Sequence, residues 1–140
     1  MTTIMGLTEW LKVAGAVQLG VAILNLALVR LLRWKEELSG LPLLMREVFQ
    51  VHVWFISLTL TILGAMTLRF AESMAARANP ALTWLAAMIA IFWGLRVLIQ
   101  IGYYDVSHWR GKTGRTIIHV LLLIIYGGMA VAYGIAAWGT

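Results

Sequence analysis

Four long stretches of this chain contain no Asp, Glu, Lys or Arg: residues 13–29, 48–68, 78–95 and 116–140. Each is close to the roughly 20 residues that carry an α-helix across about 30 Å of hydrocarbon. The stretches are apolar on every face, without the alternation of a barrel strand. This pattern predicts an all-α membrane protein. Short connections predict a four-transmembrane-helix up-down-up-down antiparallel bundle, forming a single transmembrane domain over residues 1–140. Allowing for helix beyond the bare runs, the helices are expected at about 9–34, 43–74, 80–104 and 114–138.

Composition excludes the other classes. Of the 140 residues, 61% are hydrophobic and 12% charged, and mean hydropathy is +0.87. Soluble domains carry about 45–50% apolar and about 25% charged residues. Disorder needs the opposite bias, and 140 residues make one domain at most. The absence of cysteine removes disulfides, thiolate catalysis, Cys-ligated zinc and iron–sulfur clusters. The net charge of +5 sits beside apolar runs, which points to membrane anchoring rather than nucleic acid.

Local signals mark the helix ends. Pro42 follows Ser39 and Gly40 and suits a first helical turn, while Asn79-Pro80 reads as a cap followed by proline. Gly111 and Gly114 bracket the last turn, with Thr113 as a cap. Trp10, Trp34, Trp84, Trp109 and Trp138 fall near the expected interfaces, whereas Trp54 and Trp93 lie deeper and call for a packing explanation. The amino terminus lacks the basic start and unbroken apolar run of a signal peptide, because Glu9 and Lys12 interrupt it.

Orientation follows from the basic residues. Arg30, Arg33, Lys35, Arg46, Arg96, Arg110, Lys112 and Arg115 gather on the side of loops 1–2 and 3–4; Lys12, Arg69 and Arg77 fall on the other. The positive-inside rule then puts those loops in the cytoplasm and both termini outside. The short loops suit a bacterial inner membrane. Small residues, namely Ala16, Gly20 and Ala27 on helix 1 and Gly127, Gly128, Ala130, Ala132 and Gly134 on helix 4, are expected to pack helices within the bundle; the alternative is a seam for another subunit or a second copy. His119, Tyr126 and Tyr133 are seven apart and share a face of helix 4.

The functional signal is the placement of polar groups, which are costly in hydrocarbon and often mark function. Asn25, Glu47, Gln50, His52, Arg96, Gln100, Tyr104, Asp105, His108 and His119 all belong to the loop-1–2/3–4 half. Arg96, Gln100 and Tyr104 are spaced by four and share one face. Arg96 stands eight residues before the expected helix end, roughly 12 Å along the axis. A guanidinium stays charged there, so it either snorkels, pairs with Glu47 or Asp105, or clamps an anion.

His52 and His119 lie at similar expected depth on different helices. Intramembrane histidines are ordinarily hydrogen-bonded interior residues, but two on facing helices can clamp a b-type haem, with Arg96 and Arg115 near its acidic edge. Asp105 and His108, with Glu47, form a carboxylate–histidine set suited to a divalent metal. Asn25, Gln50, Gln100 and Tyr104 complete the expected pocket. Three functions compete: a cofactor- or anion-binding redox or accessory subunit, an accessory subunit of a larger membrane complex without chemistry of its own, and a membrane enzyme or transporter for a lipid or anionic small molecule.

Overall fold

A computed structural model describes residues 2–31, 39–102 and 113–139. They form four helices: α1 (Thr2–Leu31), α2 (Leu43–Ala75), α3 (Pro80–Gly102) and α4 (Thr113–Trp138). No strand occurs among the described residues. The fold class is the all-α, four-span class that the charge-free stretches predict. Each helix contains a span long and apolar enough to cross a membrane, and no more than 33% of any span is buried inside the protein. The outward faces carry Ile62, Leu98, Ile101, Ile124 and Val131. In water such surface would be unsustainable; in a bilayer it is the solvated side. The chain is a multi-pass integral membrane protein.

The boundaries follow capping chemistry. The Asn79 side-chain oxygen accepts from the Ala81 N–H at 2.8 Å, while Pro80 occupies the first helical position. The Pro42 carbonyl accepts from the Arg46 N–H at 3.2 Å, so proline stands immediately before α2. α1 begins at Thr2 rather than near residue 9. Nothing from Thr2 to Thr8 breaks a helix, and Glu9 forms an ion pair with Lys12 one turn on, at 3.3 Å; such an (i, i+3) pair supports a helix rather than ending it. α2 contains one residue with non-helical backbone angles, Phe70 (φ −115°, ψ 16°).

The chain divides into two compact units. One is contiguous, Gly15–Arg69; the other combines Met1–Ala14 with Phe70–Thr140. In the contiguous unit α1 and α2 run antiparallel. Gly15 meets Gly64, where an added Cβ on Gly64 would fall 2.9 Å from the Gly15 carbonyl oxygen. The backbones therefore approach through glycine, as helix pairs in lipid require. The small residues doing this are not those expected. Ala16 and Gly20 are exposed, and a Cβ on Gly20 would meet nothing within 4 Å. The contact face lies one residue away, a rotation of about 100° on a helix.

In the second unit α3 and α4 are antiparallel neighbours. Ala86, Ile89, Ala90 and Trp93 of α3 are buried, as are Tyr126, Met129, Tyr133 and Ala136 of α4. Trp93 is only 2% exposed and stacks on Tyr126 with ring centroids 5.1 Å apart. That is the packing reason for its depth. Trp54, by contrast, faces outward. Trp84 and Trp138 are exposed near helix ends, as a belt residue should be; Trp10 is exposed too but stands two turns inside α1, and Trp34 and Trp109 lie outside the described residues. The turn before α3 is held by Arg77, which has φ 51°. Its guanidinium donates to the carbonyls of Ala136 (3.1 Å) and Ile135 (3.3 Å), satisfying carbonyls at the end of α4.

Candidate functional site

The α3–α4 pair carries a polar relay inside its apolar unit. Arg96 and Gln100 are one turn apart on α3, and the Arg96 guanidinium donates to the Gln100 side-chain oxygen at 3.0 Å. The Gln100 amide nitrogen lies 2.8 Å from Nδ1 of His119 on α4. Gln100 is 2% exposed, while Arg96 and His119 are half-buried. The guanidinium also sits over the Tyr126 ring, 5.0 Å from its centroid. That cation–π contact joins the relay to the Trp93–Tyr126 stack.

The relay has a direction. Arginine has five N–H donors and no acceptor, so only the Gln100 oxygen can face it. The amide nitrogen is thereby turned to His119 and donates to Nδ1. A neutral imidazole accepting at Nδ1 carries its proton on Nε2. Arg96, through one buried amide, holds the ring as an Nε2–H donor.

The remaining expected site residues fall elsewhere. Asn25 belongs to the contiguous unit, where its amide nitrogen donates to the Ser57 hydroxyl at 2.9 Å and to the Val53 carbonyl at 3.2 Å. It thus ties α1 to α2. His52 also belongs to that unit, on an exposed face of α2, and its Nδ1 lies 2.8 Å from the Val48 carbonyl on its own helix. A carbonyl only accepts, so Nδ1 carries a proton, and in the neutral ring Nε2 holds the lone pair, the reverse of neutral His119. Glu47 is exposed and Gln50 half-buried near the start of α2. Arg115 lies in the first turn of α4. Tyr104, Asp105 and His108 lie outside the described residues. Among the described residues, no three His, Cys, Asp or Glu side chains are grouped to hold a metal ion.

Tyr126, Trp93 and Ser57 take parts that residue type alone did not assign. The signals for the first two were present: Tyr126 shares the seven-residue face with His119, and Trp93 precedes Arg96 by three. Ser57 carried no such signal, because its partner Asn25 is on another helix. Comparison with protein-family models, curated proteins and solved structures yields no match.

Proposed function

We propose that this is a small ligand-binding membrane protein whose α3–α4 pair takes the anionic group of a small molecule or lipid. The observation that supports it is the Arg96–Gln100–His119 relay, which sets a fixed cation and an imidazole in one apolar unit. Donors fixed in a low-dielectric setting favour negative charge strongly. In this reading the protein lies in a bacterial inner membrane, the site is in the cytoplasmic half, and both termini are outside. Binding, rather than catalysis, is the assigned role.

The test is a titration of the purified protein in zwitterionic nanodiscs with inorganic phosphate and with acetate, followed by the 15N resonances of His119. A saturable shift in the wild type that is lost in Arg96→Leu supports the reading. No shift with either anion overturns it.

One observation favours a second reading. His52, with Nδ1 bonded to a carbonyl, has the tautomer that metal-ligating histidines adopt. A b-type haem or divalent metal at His52 would take that Nε2 lone pair, whereas the Gln100 contact opposes an Nε2 lone pair on His119. A stoichiometric Soret band, lost in His52→Ala, would establish the haem reading in place of the anion one.

A further inference from the structure

We draw no further inference here: the strongest candidate, the outward face of α2 around the His52 imidazole, carries nothing beyond the reading already given for His52, because the residues about it are exposed apolar side chains such as Val51 and Phe55 and nothing in the structure shows what covers them.

Discussion

Gly15 and Gly64 face each other so closely that a methyl group on Gly64 would lie 2.9 Å from the Gly15 carbonyl oxygen and 3.0 Å from the side chain of Leu19. Backbone cannot step aside as a flexible side chain can. Gly64→Ala should therefore destabilise the protein by about 1–3 kcal/mol through overpacking. Gly20→Ala, on open surface of the same unit, should be neutral or gain up to about 1 kcal/mol from helix propensity. Reversible unfolding in mixed micelles measures both, and equal effects would refute the close approach.

Asn25 and Ser57 hold α1 to α2 through one amide–hydroxyl bond, and the same amide reaches the Val53 carbonyl. Polar contacts between membrane helices are modest, with coupling energies of about 0.6–1.7 kcal/mol. A double-mutant cycle of Asn25→Leu and Ser57→Ala should return a value in that range. A coupling indistinguishable from zero would remove the bond from the account.

Arg77 combines a left-handed backbone with a carbonyl-capping side chain. Arg77→Ala should lose the cap, at about 1 kcal/mol, while keeping the strain of a non-glycine residue at φ 51°. Arg77→Gly should lose the cap and relieve the backbone, recovering about 1–2 kcal/mol. Glycine is thus the milder change in thermal unfolding. Faster amide exchange at Gly139, whose N–H bonds the Ile135 carbonyl at 2.8 Å, should accompany both.

Tyr126 serves the relay with its ring face, stacked on Trp93 and under Arg96. Tyr126→Phe retains both ring contacts and should cost less than Tyr126→Leu. Tyr126→Leu gives up an aromatic pair of about 0.5–1.5 kcal/mol and a cation–π contact of about 0.5–1 kcal/mol. Comparing the two by thermal unfolding separates the ring from the hydroxyl; similar losses in both would assign the stabilisation to the hydroxyl instead.

The spans were readable because charge is nearly forbidden in hydrocarbon, so its absence over 48–68 or 116–140 is decisive. The Asn79-Pro80 start was readable because capping is local. Helix rotation was not. A membrane helix is apolar all round, so no polar face declares which side packs. That is why Ala16 and Gly20 looked like the seam when Gly15 and Gly64 form it. The Arg96–Gln100 contact followed from a spacing of four, whereas the meeting of Gln100 with His119 did not, because the two stand on different helices. The proton on His119 had no trace in residue order, since it depends on which way a buried amide is turned. Depth alone suggested pairing His52 with His119, and depth carries no information about the nitrogen each ring offers.

The break at Phe70 falls where one compact unit gives way to the other, and this orders events in time. The unit from Gly15 to Arg69 is a single uninterrupted piece of chain. It can close as soon as the second span leaves the ribosome, because all its partners have by then been made. The other unit combines Met1–Ala14 with Phe70–Thr140, so its completion must await the fourth span. The entropy of joining such distant segments grows only logarithmically with their separation. A hairpin made early, followed by a closure that waits for the last of the four spans, is the assembly sequence written into this division.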